Sequence, residues 1–145
     1  NVRFVMAGSG DMMDQMIRLA AERGIADRFH FPGFMKGKQV YEVLRASDVY
    51  IMPSVSEPFG ISPLEAMRSG VPTIISKQSG VAEVLKHAIK VDFWDVDALA
   101  DAIYALLAYP ALAEFAAKYG LNEGNNLKRE NAAYLLKTIY EELKR

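Results

Sequence analysis

Five short, almost continuously apolar runs recur along the chain, and between them the apolar residues switch to helical spacing. Val2–Ala7 (V-R-F-V-M-A) is closed by Gly8-Ser9-Gly10, after which Met13, Met16, Ile17 and Ala20 fall at i, i+3, i+4 and i+7. Gly24 is placed to end that helix, and Arg28–Phe31 (R-F-H-F) resumes extended structure before Pro32-Gly33. The alternation continues through a short helix carrying Val40, Val43 and Leu44, a strand over Asp48–Met52, a helix over Pro63–Ser69 and a strand over Val71–Ile75. A helical turn over Gly80–Leu85 and a strand over Ala88–Phe93 complete it. Strands this short, apolar on both faces and separated by helices, are what a parallel sheet covered on both sides requires. The expectation is an α/β domain: an open, Rossmann-like, doubly wound parallel sheet of about five strands flanked by helices.

Beyond the last strand the period is helical only. Leu99, Ala102, Ile103 and Leu106 give one helix, Pro110–Tyr119 a second, and Ala132, Leu135, Leu136, Ile139 and Leu143 a third. Leu121–Asn126 (L-N-E-G-N-N), rich in turn formers, is expected to be a loop or hinge. With 145 residues the chain reads as a single domain, an α/β core over about 1–109 and a helical tail over 110–145. Asn1 stands directly before an apolar strand with no initiator Met, so the sequence is expected to be a piece of a longer product.

Composition removes several classes of function. Apolar residues make up 51% and charged residues 24%, the balance of a folded domain rather than a disordered one. Lys and Arg number 17 against 18 Asp and Glu, so there is no basic excess for nucleic acid or an anionic membrane, and neither is expected as a partner. There is no cysteine, and His30 and His87 stand alone, so no metal site is expected. No run of eighteen apolar residues and no signal peptide is present, and a cytoplasmic location is the expectation.

In an open α/β sheet, ligands bind outside the carboxyl ends of the strands. Four polar, glycine-bearing turns fall there: Gly8-Ser9-Gly10, Pro32–Gly37, Pro53–Gly60 and Ser76–Gly80. They are expected to cluster, with backbone N–H groups aimed at an anion such as phosphate. The G-S-G turn lacks the third glycine of the dinucleotide fingerprint and carries little by itself. The sharper signal is the pair Glu57 and Glu65 within S-E-P-F-G-I-S-P-L-E-A-M. Ser62-Pro63-Leu64-Glu65 also reads as a capping box with Pro at the first helical position, in which Glu65 serves only the helix, and Glu57 before a proline also reads as a solvated loop residue.

E-P-F-G-I-S-P-L-E resembles the E-x7-E motif of retaining glycosyltransferases of the GT-B fold, glycosyltransferase family 4. The similarity extends, in order, over F-V-M-A-G-S-G, D-R-F-H-F-P-G-F, A-S-D-V-Y-I-M-P-S and A-M-R-S-G-V-P-T-I-I-S, covering residues 2 to about 109. The resemblance implies the C-terminal half of such an enzyme, which binds a nucleoside diphosphate sugar and passes the sugar to an acceptor hydroxyl with retention, using no metal and no other cofactor. It implies Glu57 beside the donor sugar as the catalytic residue and Glu65 on the ribose. The Phe59, Gly60 and Ile61 backbone would meet the sugar and diphosphate, the main chain of Phe34 and Met35 the base, and Gly8 the donor.

A carboxylate suits these roles because it accepts from two adjacent hydroxyls. The family's usual Arg and Lys for the diphosphate, and its acceptor domain, lie N-terminal to anything in this chain, and Lys77 is the one nearby cation considered as a substitute. The family's tryptophan before the last helix has no counterpart, Trp94 being the only Trp. Ser79-Gly80-Val81-Ala82-Glu83 resembles the family's G-G-x-x-E turn, with Glu83 read as a first-turn acid outside the site. The isolated chain is expected to self-associate, to bind nucleoside diphosphates weakly and to transfer no sugar. Two alternatives stand beside this: a non-catalytic Rossmann-like binding or assembly module, and a sugar-nucleotide epimerase of the same fold.

Overall fold

The structure is a computed structural model and describes residues 2–127 and 129–143. It forms two compact units, Asn1–Glu42 and Val43–Arg145. The five expected strands are present, as a parallel hydrogen-bonded pair in the first unit and a parallel set of three in the second.

In the first unit, β1 (Phe4–Ala7) pairs with β2 (Phe29–Gly33), setting Phe4 opposite Phe29 and Val5 opposite His30. The Phe4 and Phe29 rings stack at 4.8 Å. Helix α1 (Met13–Glu22) makes the crossover. It ends as its sequence predicts: Gly24, at φ +67°, donates to Ala21 O, and Ile25 N–H reaches back to Ala20 O. A side chain at that φ would be strained, so glycine sets the exit direction. A single 3-10 turn (Ala26–Arg28) precedes β2, which is why the second strand starts one residue later than its apolar run. Helix α2 (Lys38–Arg45) carries the chain into the second unit.

The second unit is built around β4 (Thr73–Ser76), all four residues of which are buried. It lies between β3 (Tyr50–Met52) and β5 (Ile89–Val91), in register Tyr50 to Thr73 and Ile74 to Ile89. Alternation along β4 sends successive side chains to opposite faces. Ile75 packs with Met52, Met67, Val81 and Leu85, under α3 (Ser62–Arg68) and a 3-10 turn (Gly80–Glu83). Ile74 packs with Val91, Leu106 and Ala116, under α4 (Val96–Ala108) and α5 (Pro110–Asn126). Two apolar layers on one strand are the arrangement its unbroken V-P-T-I-I run predicts.

Leu121–Asn126 is not a loop, as its composition suggests, but the last turn and a half of α5. The reason is long-range. Ala116, Gly120 and Gly124 recur at i, i+4 and i+8 and are all buried. A Cβ on Gly120 would come within 3.3 Å of Met67 Cε, and one on Gly124 within 3.2 Å of Arg68 Cγ. The glycines let α5 lie close against α3, and the packing outweighs about 1 kcal/mol of helix propensity lost at each. Arg68 then closes the helix end, donating from Nε to Gly124 O at 2.8 Å and from Nη2 to Leu127 O at 2.7 Å. Helix α6 (Arg129–Glu142) follows where the last apolar period predicts it, with Leu136 and Ile139 exposed; the side chains of Ala132 and Leu135 lie outside the described residues.

His87 does not stand alone in space. Glu123 of α5 accepts the main-chain N–H groups of Lys86 and His87, each at 2.8 Å, and lies 3.1 Å from His87 Nδ1. Burial alone would raise the Glu123 pKa. The hydrogen bonds from Lys86 and His87 outweigh it, and the carboxyl is held below the usual glutamate value. A carboxyl depressed on folding contributes stability that is full above its unfolded pKa and is lost as pH falls through the folded one. The expected outcome is that Glu123→Gln lowers stability at pH 7 by about 1.5 kcal/mol, and that this difference from the native chain closes as pH falls below about 4. Urea midpoints of both proteins across that range check it; a pH-independent difference would remove the carboxylate's charge from the account.

Candidate functional site

The four glycine-bearing turns come together as two pairs, one in each unit. In the first unit, Gly8 N–H donates to Gly33 O at 2.8 Å, so the Gly8-Ser9-Gly10 turn and the start of Pro32–Gly37 meet beyond the ends of β1 and β2. Gly8 has φ +137°, open to glycine and strained for other residues. Phe34 is 64% exposed, Met35 is partly covered, and Lys36 Nζ stands 5.3 Å from the Phe34 ring centre.

In the second unit, the β3–α3 loop (residues 53–61) and the β4 exit loop (residues 77–79) meet beyond the ends of β3 and β4. Ser76, 2% exposed, donates its hydroxyl to Ser54 O at 2.6 Å, and Gly80 N–H donates to Glu57 O at 2.8 Å. The second contact leaves no room: a Cβ on Gly80 would overlap the Pro58 carbonyl oxygen. Gly80 is therefore required by close approach, and the β4 exit holds the Glu57-Pro58 peptide from below. Gly60 is required twice over, by φ +76° and because a Cβ would fall 3.1 Å from both Glu57 Cγ and Met52 Cε. Phe59 and Ile61 on either side of it are exposed, Ile61 at 60%.

Glu57 and Glu65 are both partly covered by the chain. Among the described residues, neither carboxylate makes a hydrogen bond or an ion pair with another side chain or with the backbone. The capping box that the sequence allows is not made. Glu65 N–H is bonded to Ile61 O at 3.1 Å, one residue earlier than a box on Ser62 would need, and the first turn of α3 has no side-chain cap. Ser62 Oγ accepts from the Tyr50 hydroxyl at 2.7 Å instead. Burial raises the Tyr50 pKa above its usual value, against the pull of the Ser62 bond, and the charges of Glu65 and Glu57 add to the rise. The phenol stays a donor, and the field of both carboxylates reaches it.

Lys77 has a partner. Its Nζ lies 2.7 Å from Asp92 Oδ2, and Gln78 Nε2 donates to Asp92 Oδ1 at 2.8 Å. These bonds, Lys77's first, hold the Asp92 carboxyl below its usual range. The lysine of this pair is exposed to solvent. Glu83 is exposed on the 3-10 turn, and Trp94 is exposed before α4 with Phe93 edge-on to it. Among the described residues no three His, Asp or Glu side chains gather as metal ligands would. The acidic triplet Asp95-Val96-Asp97 opens α4, where Asp95 Oδ1 caps the helix by accepting Ala98 N–H at 3.0 Å. The sequence reading missed Tyr50, Ser62 and Ser76 as supports of the site; each acts through a partner 12 or more residues away, and no local pattern marks them.

A family model described as glycosyl transferases group 1 matches residues 1–123. An uncharacterized glycosyltransferase of Methanocaldococcus jannaschii is 40% identical over 89 residues, 61% of this chain and 23% of that protein. Among solved structures, sucrose-phosphate synthase from Thermosynechococcus elongatus superposes on 96% of this chain and 38% of its own, with a TM-score of 0.80 and 29% identity. HepE of Anabaena, solved in complex with UDP-glucose, superposes on 99% of this chain and 41% of its own, at a TM-score of 0.81 and 20% identity. The chain thus spans less than half the length of each of these three proteins. The α/β architecture is that of the C-terminal domain of GT-B glycosyltransferases, and the chain belongs to the glycosyl transferases group 1 family.

Proposed function

We propose that this chain is the donor-binding half of a retaining glycosyltransferase of family 4, taking the sugar from a nucleoside diphosphate sugar and passing it to an acceptor hydroxyl, with no metal on the diphosphate. The observation that carries the reading is the pair of carboxylates, Glu57 in the β3–α3 loop and Glu65 in the first turn of α3, both left without a partner among the described residues. A carboxylate that no protein donor occupies is open to a ligand's donors, and adjacent sugar hydroxyls are donors that fit it. Glu65 receives the ribose hydroxyls and Glu57 lies by the donor sugar, while the Phe59-Gly60-Ile61 backbone is assigned to the sugar and diphosphate. A solved structure of HepE, similar in fold, contains UDP-glucose, which supports a nucleotide sugar as the ligand class.

In the transfer, the bond from the anomeric carbon to the diphosphate oxygen breaks and one to the acceptor oxygen forms; the acceptor proton leaves with the diphosphate or solvent. The partly covered Glu57 carboxylate favours the positive charge that builds at the anomeric carbon. Acceptor binding is assigned to residues outside this chain, and the chain alone is expected to turn over no donor.

Glu57→Gln and Glu65→Gln, each in the protein that carries this chain, are expected to lower kcat/KM by about tenfold or more, since a charged acceptor for a hydroxyl contributes about 1.5–3 kcal/mol. Unchanged kcat/KM in both would return these residues to loop and helix roles. Transfer is expected to persist in excess EDTA, because the reading puts no divalent ion on the diphosphate; strict dependence on Mg2+ or Mn2+ would overturn that part of it. Gly80→Ala must displace the Glu57-Pro58 peptide, an overpacking that costs about 1–3 kcal/mol. Its kcat/KM is expected to fall alongside that of Glu57→Gln, and native activity in Gly80→Ala would show that the loop can move without consequence.

A further inference from the structure

Ser62 and Glu65 sit one turn apart on the same face of α3, three residues apart, so the serine can either cap the helix with the glutamate or do something else. It does something else. Its Oγ accepts the Tyr50 hydroxyl at 2.7 Å, and among the described residues its own proton has only Met52 Sδ within reach, at 3.9 Å. A thioether is a weak acceptor, so the Tyr50 bond is what fixes the serine. Tyr50 is fixed in turn by β3, where its N–H donates to Pro72 O at 2.9 Å and its Cα lies in register with Thr73.

Two starts are open to α3. In the observed one, Ile61 O takes the Glu65 N–H and the helix begins at Ser62. In the other, the helix would begin one residue later, Ser62 Oγ would take the Glu65 N–H, and the Glu65 carboxylate would fold back on the Ser62 N–H. Serine beside a helix start competes for local N–H groups whenever its oxygen is free. We propose that Tyr50 and Ser62 form a positioning pair: by occupying the serine oxygen, the tyrosine hydroxyl holds α3 in the earlier start and keeps the Glu65 carboxylate out of the capping box and available to ligand. The inference rests on the reading that Glu65 accepts from a donor hydroxyl. It adds that the availability of Glu65 is set from β3 by a residue that touches no ligand.

UDP titrated into the chain tests both levels, with Glu65→Gln as the reference for the reading itself. Tyr50→Phe keeps the ring and removes one oxygen; it is expected to weaken UDP binding about fivefold, the effect of losing one useful hydrogen bond. Ser62→Ala removes the alternative cap, so Tyr50→Phe combined with Ser62→Ala is expected to recover to within about twofold of the native chain. Recovery on adding a second deletion is not something a merely structural role would give. Amide 15N–1H resonances of Ser62 and Glu65, followed without ligand, are expected to move in Tyr50→Phe and return in the double variant. If Glu65→Gln weakens binding but Tyr50→Phe does not, or if the double variant binds more weakly than Tyr50→Phe, the positioning pair is overturned and the reading stands. If Glu65→Gln leaves binding unchanged, the reading of Glu65 fails, and the inference with it.

Discussion

The second unit depends on the complete burial of β4. Thr73–Ser76 has no exposed residue, and each of its contacts sets something else. Ile75 fixes α3 through Met67, Ile74 fixes α4 and α5 through Leu106 and Ala116, and Ser76 fixes the β3–α3 loop through the Ser54 carbonyl. A strand buried on both faces admits no slip of register, because a shift by one residue would send Ile74 and Ile75 to the wrong layers. The positions of Glu57 and Glu65 are thus consequences of a strand that carries neither of them.

The helical tail is part of the same construction. Gly120 and Gly124 bring α5 against α3, and Arg68, three residues beyond Glu65, closes the end of α5 through Gly124 O and Leu127 O. Glu123 reaches the other way and ties α5 to the chain entering β5 at Lys86 and His87. Helix α3 is only seven residues long and would not persist by itself in water. It is held by the sheet beneath, by α5 across the glycines and by the Tyr50 hydroxyl at its first residue.

What was legible in the sequence follows the range of the interactions. Strand and helix order came through because apolar period is a local signal, and strand boundaries moved only by a residue or two, as where β3 begins at Tyr50 rather than Asp48. E-P-F-G-I-S-P-L-E was legible as a motif because both glutamates and the glycine between them lie in one stretch. The features misread all depend on partners far along the chain. L-N-E-G-N-N looks like a turn until Arg68, 56 residues away, is placed against its Gly124 and Met67 against Gly120 just before it. Ser-Pro-Leu-Glu looks like a capping box until Tyr50 takes the serine, Lys77 looks free until Asp92 takes its charge, and His87 looks solitary until Glu123 arrives from α5.

On the proposed reading, the charge pattern of the second unit has a consequence for how a nucleotide sugar is held. Its two site carboxylates carry negative charge, and Lys77, beside the end of β4, is paired with Asp92. A diphosphate brought to the Phe59–Ile61 backbone therefore meets main-chain N–H groups and two anions, with the nearby lysine already in an ion pair. Carboxylates repel phosphate oxygens and attract hydroxyl donors, so in this segment recognition works through the ribose and the sugar at either end of the diphosphate. Selection by hydroxyls needs geometry more than charge, since a hydrogen bond weakens steeply with misalignment while a Coulomb field does not. That is the physical reason for so much support behind two side chains: a glycine that clasps the Glu57 carbonyl, a buried serine on the loop before it, and a tyrosine that keeps Glu65 from closing on its own helix.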